Sequence, residues 1–211
     1  AQGWRTTRRL LAVGLPISMQ MVLEVSAFAL TLIMMGWIGT VPLAAHQVVL
    51  SLSNIVYMVV VGISAATTIM VSHRYGAGDY RGMRRAALAS WHLGIVANLL
   101  TMACFVAFRR FLPELFTSDR AVIGVAAQLF LMAALYQIPD GLQTIALGVL
   151  RGMQDVRITM YYAFVSYIVI NLPVGYFCAP GLWVGFIVGL CIAAFLLIRR
   201  YRRLYRRLTL D

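Results

Sequence analysis

The sequence predicts an all-α polytopic membrane protein with six transmembrane helices, and its composition, apolar runs and arginine placement support that prediction. Of its 211 residues, 62% are hydrophobic and 12% are charged, and the mean hydropathy is +0.84. An average soluble chain is about 45–50% apolar and about 25% charged. A soluble globule of this composition would therefore lack polar surface. One span with its loop takes roughly 30–40 residues, so the length allows about six spans.

Six apolar runs of spanning length follow one another along the chain, at residues 10–36, 43–72, 86–108, 121–150, 158–178 and 182–198. The first, second and fourth exceed the length a bilayer needs, so we expect them to tilt, kink or extend past it. The last two flank Ala179-Pro180-Gly181, which predicts a tight turn. We treat residues 1–211 as one lobe that ends in a basic cytoplasmic tail, residues 199–211.

The arginines predict the orientation of these spans. All 18 basic side chains are arginine, and 15 of them lie before the first run, between runs two and three, between runs four and five, or after run six. Arg109, Arg110 and Arg120 remain for the opposite side. By the positive-inside rule both termini are cytoplasmic. The net charge of +11 then faces anionic lipid, and we expect no nucleic-acid partner.

The loop between runs two and three predicts a helical elbow. Gly76 and Gly78 are able to take a positive φ and end the second helix, and Asp79 is a suitable N-cap for the third.

Two of the seven acidic residues, Glu24 and Asp140, lie inside apolar spans. An ionised carboxylate there costs about 2.5–3.5 kcal/mol on insertion scales, so such residues are functional candidates. Pro139 removes the helical partner of the Leu135 carbonyl, and Tyr136 lies one turn before Asp140. This oxygen-rich group suits a hard cation or a proton. The alternative is that both acids are protonated and only hydrogen-bond neighbouring helices.

Further polar side chains follow the helical period of three spans. Gln20 and Thr31 extend a stripe through Glu24, and Gln143 and Thr144 lie close to Asp140. The second span carries a stripe of its own, for which interhelical hydrogen bonding and cavity lining remain equally open. Its members are Gln47, Ser51 and Asn54.

Enzymatic motifs are absent from the sequence. There is no HExxH and no GxSxG, and His46 and His73 lie at opposite ends of one span. We therefore expect neither an enzyme nor a cofactor other than a coupling ion.

The chain resembles, along essentially its whole length, the MATE family of multidrug and toxic-compound extruders, and among them the bacterial NorM-type branch. The segments that carry the resemblance are Leu15-Pro16-Ile17 through Glu24, Met35-Gly36, Ile38-Gly39-Thr40, Leu43 to Gln47, Gly62 to Thr67, Gly76 to Asp79, Arg84-Arg85, Tyr136 with Asp140 and Gln143, and Gly148 to Gly152 with Asp155.

That resemblance implies one six-helix lobe of a twelve-helix, two-lobe transporter of the bacterial inner membrane. It implies the C-terminal lobe, with the N-terminal six-helix lobe missing as a partner. The chain begins with Ala, from which we expect that it was processed or cut from a longer one. The family exports organic cations and hydrophobic drugs in exchange for Na⁺ or H⁺, and its cation site in this lobe matches Glu24, Asp140 and Tyr136.

Two other functions remain open. A related flippase of lipid-linked substrates would use a basic cavity and an arginine inside a span, whereas every arginine of this sequence lies outside the six apolar runs. A non-transporting half-protein or membrane scaffold is the other.

Overall fold

The computed structural model describes residues 2–177 and 182–210, and this part of the chain confirms the predicted fold class. It contains six helices that are long and apolar enough to cross a membrane, and no strand. The predicted turn at Ala179-Pro180-Gly181 lies outside the described residues. The helices are α1 (Gln2–Ile38), α2 (Thr40–Gly76), α3 (Tyr80–Ala107), the short α4 (Phe111–Glu114), α5 (Arg120–Gly152), a fifth span formed by α6 (Val156–Ala163), a π-helical segment (Phe164–Asn171) and α7 (Leu172–Phe177), and α8 (Leu182–Leu210).

The helix α5 lies at the centre of the fold and packs against α2, α3 and α8. Small residues let its backbone approach α2 closely: a Cβ on Gly148 would lie 2.7 Å from the carbonyl oxygen of Ser64. Two hydroxyls of α2 donate across this contact, from Ser64 to the Thr144 carbonyl (2.7 Å) and from Thr68 to the Gly148 carbonyl (2.9 Å). These contacts fix the rotation of α2 against α5.

The fifth span contains a π-helical segment that its apolar sequence does not predict. Pro173 lies two residues after the end of this segment and has no N–H to continue the regular helical pattern. The segment packs on Gly185 and Gly189 of α8, where an added Cβ would lie 2.7 Å from the Asn171 carbonyl oxygen and 2.8 Å from that of Ser166, respectively. The four-residue spacing of these glycines is a common device for close helix contacts in membranes.

The last apolar run ends at residue 198, but α8 continues as a helix to Leu210. Its extension carries apolar side chains at helical spacing, and they pack on a cluster that includes Val71 and Met83 of α2 and α3. The side chain of Arg200 adds an ion pair of 2.7 Å to Asp155, which precedes α6. The basic tail is therefore a docked helix over its described residues. The apolar side chains are Tyr201, Leu204, Tyr205 and Leu208.

The predicted elbow between α2 and α3 is present. Asp79 accepts a hydrogen bond of 2.8 Å from the backbone N–H of Gly82, and Arg74 donates to its other oxygen at 2.6 Å. Gly78 has a φ of +71°, whereas Gly76 is the last residue of α2 and needs no positive φ. The hydrogen bond from the Gly82 N–H lowers the pKa of Asp79 most, and the hydrogen bond from the Arg74 guanidinium lowers it further.

Candidate functional site

Two cavities inside the spans meet at the same three side chains of α1 and α2, namely Met21, Glu24 and Tyr57. The larger has a volume of about 310 Å³ and is mostly apolar; its other lining residues are Val25, Phe28, Leu50, Ser53, Asn54 and Tyr136. The smaller has a volume of about 170 Å³ and is lined in addition by Gln20, Val61, Ser64, Ala65, Thr68, Thr144, Leu147 and Arg151.

A hydrogen bond joins two of the side chains that the cavities share. The phenol of Tyr57 donates to Oε1 of Glu24 at 3.2 Å, and both residues line both cavities. Glu24 is half-buried, because α2 covers one side of its carboxylate while the other side faces the cavities. This carboxylate is therefore accessible to a ligand in either cavity.

The second predicted acid, Asp140, is buried on α5 one turn from Tyr136. Asp140 itself lines neither cavity, but it follows Tyr136 of the larger cavity by one helical turn. Within residues 2–177 and 182–210, Asp140 has no hydrogen-bond or ion-pair partner. The ring of Tyr136 is held edge-on by Trp183 and Phe186 of α8, with centroid distances of 5.7 and 6.2 Å. The structure thus brings Glu24 and Tyr136 to one cavity and places Asp140 beside it.

The placement of Arg151 in a loop was wrong. Arg151 lies in the last turn of α5, is half-buried and lines the smaller cavity. Its Nη2 donates a hydrogen bond of 2.9 Å to Oε1 of Gln20, which is fully buried on α1. The apolar run ends one residue earlier, at Leu150, but the helix continues to Gly152. One arginine therefore faces the candidate site from the last turn of a spanning helix.

The remaining predicted polar residues divide between three environments. Asn54 lines the larger cavity and Thr144 the smaller one. Gln143 instead bonds to Tyr167 of the π-helical segment, with its Nε2 2.9 Å from the phenol oxygen. Gln47 and Ser51 are exposed on α2 and line neither cavity.

Sequence reasoning missed Tyr57, Arg151 and Tyr167. Tyr57 is the one phenol in the apolar stretch of the second span, and that isolation was a signal that it needs a partner. Arg151 carried no such signal, because an arginine at the end of an apolar run usually marks a membrane boundary.

A depression of about 780 Å³ lies elsewhere on the surface, between the end of α3 and the start of α5. Its walls include Arg109, Arg110, Glu114 and Arg120, and it is more open than the two inner cavities. The candidate site is the pair of inner cavities, because Glu24, a carboxylate within a span, lines both of them.

The atoms of this site that are suited to bind a cation are the oxygens of its carboxylates and phenols. Among the residues that the structure describes, no three His, Cys, Asp or Glu side chains cluster as a transition-metal site would require. Two carboxylates with neighbouring phenols fit a proton or a hard monovalent cation.

Comparisons with known proteins identify the family. The model of the MatE family matches residues 16–177, so the chain belongs to the MatE family. A probable multidrug resistance protein NorM of Xanthomonas campestris pv. campestris is 36% identical over 98% of this chain and 46% of its own length. The multidrug resistance protein MdtK of Pectobacterium atrosepticum is 38% identical over 95% of this chain and 46% of its own length.

The fold comparison agrees. The Vibrio cholerae MATE transporter VcmN in its bent form matches with a TM-score of 0.89 and 17% identity, over 98% of this chain and 48% of that one. The chain spans about half the length of the curated relatives it matches. It is thus a multi-pass membrane protein with the fold of one six-helix lobe of a MATE transporter.

Proposed function

We propose that this chain is the C-terminal lobe of a cation-coupled exporter of organic cations and hydrophobic drugs. The observation that carries the proposal is that Glu24 and Tyr136 face one largely apolar cavity between α1, α2 and α5. The similarity to relatives named as multidrug resistance proteins supports it. An acidic and aromatic cavity with apolar walls suits a hydrophobic cation, since its charge is attracted by the carboxylate and by the ring faces.

Coupling follows from competition for the acids. We expect the lobe to have two conformations that differ in how its helices pack. A Na⁺ ion or a proton that neutralises Glu24 and Asp140 lowers the free energy of one conformation. An organic cation competes for the same carboxylates or favours the other conformation. Exchange then results from the different affinities of the two ligands for the two states.

The test is export by the complete transporter, meaning this chain together with its partner lobe, in inverted membrane vesicles. Imposed Na⁺ and proton gradients are applied separately, which identifies the coupling ion. Glu24→Gln and Asp140→Asn keep shape but remove charge, and each should lower cation-driven export more than about tenfold. Tyr136→Phe should have a milder effect.

Glu114→Gln is the matched control, because Glu114 is an exposed acid in α4 that lines neither inner cavity. It should leave export unchanged. Normal export by both site variants would contradict the proposal and leave the acids a structural role.

We further propose that the lobe acts only with its N-terminal partner. The polar stripe Gln47, Ser51 and Asn54 is exposed along α2 and would face lipid in an isolated lobe. Transporter sites at mid-membrane depth form where two repeats meet. Purified 211-residue chain in liposomes should therefore show no cation-driven drug uptake as a monomer. Uptake by a proven monomer would overturn this part of the proposal.

The location we propose is the bacterial inner membrane, with both termini in the cytoplasm and the arginine-rich face on anionic lipid.

A lipid-linked substrate flippase is the second candidate, and Arg151 is the observation that favours it, since a cationic side chain lines the smaller cavity. Glu24 lines the same cavity and offsets that charge, and the larger cavity is lined by Glu24 without an arginine, so neither lining is basic on balance. Transport of a lipid-linked pyrophosphate that depends on Arg151 and not on Glu24 would favour the flippase.

A further inference from the structure

Two opposite charges line the same cavity of about 170 Å³ without being paired: Glu24 from α1 and Arg151 from α5. The ion pairs found in residues 2–177 and 182–210 are Arg74–Asp79 and Arg200–Asp155, and neither involves this cavity. Each charge of the cavity is instead held by a neutral side chain. Tyr57 donates to the carboxylate at 3.2 Å, and Gln20 accepts from the guanidinium at 2.9 Å.

The hydrogen bonding of Arg151 is incomplete in this arrangement. Its Nε is buried and has no hydrogen-bond partner, and the same holds for Nε2 of the Gln20 amide. A guanidinium presents five N–H groups in a fork that fits a carboxylate, whereas an amide oxygen satisfies few of them. The better partner for Arg151 is therefore the carboxylate that lies across the cavity.

Glu24 is within reach of that side chain. It follows Gln20 by one turn on the same face of α1, where Cβ atoms lie about 5–6 Å apart. A rotation of the long Arg151 side chain, without movement of a helix, would carry its guanidinium from Gln20 towards Glu24 across the cavity that both acceptors line.

We propose that Arg151 is an internal competitor of the coupling cation. In the cation-free state it leaves Gln20 and pairs with Glu24, and an arriving cation displaces it back to Gln20. The inference rests on the proposed function and adds a mechanism of cation release: an internal charge replaces the departing ion, so the carboxylate is never left uncompensated inside the membrane.

The experiment measures the half-saturating concentration of the coupling cation for export by the complete transporter. Arg151→Gln removes the competitor, so this concentration should fall about tenfold, as expected for an interaction of modest strength. Gln20→Met removes the group that holds Arg151 away, so the concentration should rise several-fold. Arg151→Lys keeps the charge and should stay close to the unmodified protein.

The matched control is Arg157→Gln, because Arg157 is an exposed arginine that lines neither inner cavity. Where the coupling ion is a proton, the readout is the pH of half-maximal export. Asp140 of α5 then also contributes to the profile, while Tyr57 of α2, Tyr136 of α5 and Tyr167 of the π-helical segment are the phenols that face the two acids.

Shifts of opposite sign in Arg151→Gln and Gln20→Met support the proposal, since a purely structural role would lower activity in both without that pattern. Unchanged half-saturation in both, with cation dependence intact, overturns the inference and leaves the proposed function standing. Export that does not depend on any cation in the unmodified protein overturns both. If Arg151→Gln does not fold, the Gln20→Met shift decides, because that variant retains the arginine.

Discussion

Tyr57 and Glu24 are joined by a hydrogen bond of 3.2 Å that links α2 to α1, and both side chains line the same two cavities. The phenol donates and the carboxylate accepts, so the bond is strongest while Glu24 carries its charge. A change in the charge of Glu24 is therefore transmitted directly to α2.

Tyr57→Phe tests this link in the proposed transporter. A hydrogen bond to a charged group contributes about 1.5–3 kcal/mol, so losing it should lower cation-driven export roughly tenfold while Glu24 remains in place. Initial rates in inverted vesicles give the measurement. The control is Tyr161→Phe, whose exposed ring lies on α6. Equal rates in the two variants would show that the bond has no part in coupling.

Cysteine labelling tests the predicted orientation. In a cysteine-free background, Thr40→Cys between α1 and α2 should react with an impermeant maleimide from outside intact cells, and Arg81→Cys should react only after lysis. Arg81 is preferable to its neighbour Gly82, because a Cβ on Gly82 would collide with the side chains of Asp79 and Arg74. Labelling of position 81 in intact cells would contradict the predicted orientation.

Gly148→Ala tests the close contact of α5 with α2. Its Cβ would meet the Ser64 carbonyl oxygen at 2.7 Å and the Ser64 hydroxyl at 2.5 Å. We expect a loss of about 1–3 kcal/mol in the free energy of unfolding, as for other overpacked interiors. Thermal unfolding in detergent measures it. Gly124→Ala on the same helix is the control, since nothing lies within 4 Å of its added Cβ; there the higher helix propensity of alanine should be neutral or stabilising.

The elbow around Asp79 should lose stability in acid. Hydrogen bonds from the Gly82 N–H and from Arg74 lower the folded-state pKa of Asp79 below its unfolded value. The stabilisation is thus fully present above the unfolded pKa of about 3.9 and disappears as the pH falls through the lowered value. Hydrogen exchange at residues 76–82 should accelerate over that range, after correction for the intrinsic rate. Asp79→Asn should remove this dependence; if the variant keeps it, another group is responsible.

Some features of the site were predictable because their cost is local. A carboxylate inside an apolar run is expensive wherever the helix lies, so Glu24 and Asp140 stand out without any knowledge of their neighbours. The capping role of Asp79 depends on the next three residues alone, and the structure confirms it. Gln143 is different. Its spacing from Asp140 suggested that it lines a cavity, but its side-chain amide is hydrogen-bonded to Tyr167 of another span.

The sequence by itself determined that the chain crosses a membrane with six helices, because apolar length and composition decide that for each segment separately. The tertiary structure alone decided that Tyr57 bonds Glu24, that Arg151 reaches Gln20, and that both pairs line one cavity. Those contacts depend on how far each helix is rotated about its axis. Glycines and hydroxyls at the helix interfaces, such as Gly148 against Ser64, set that rotation through interhelical packing, which a pattern along one helix does not contain.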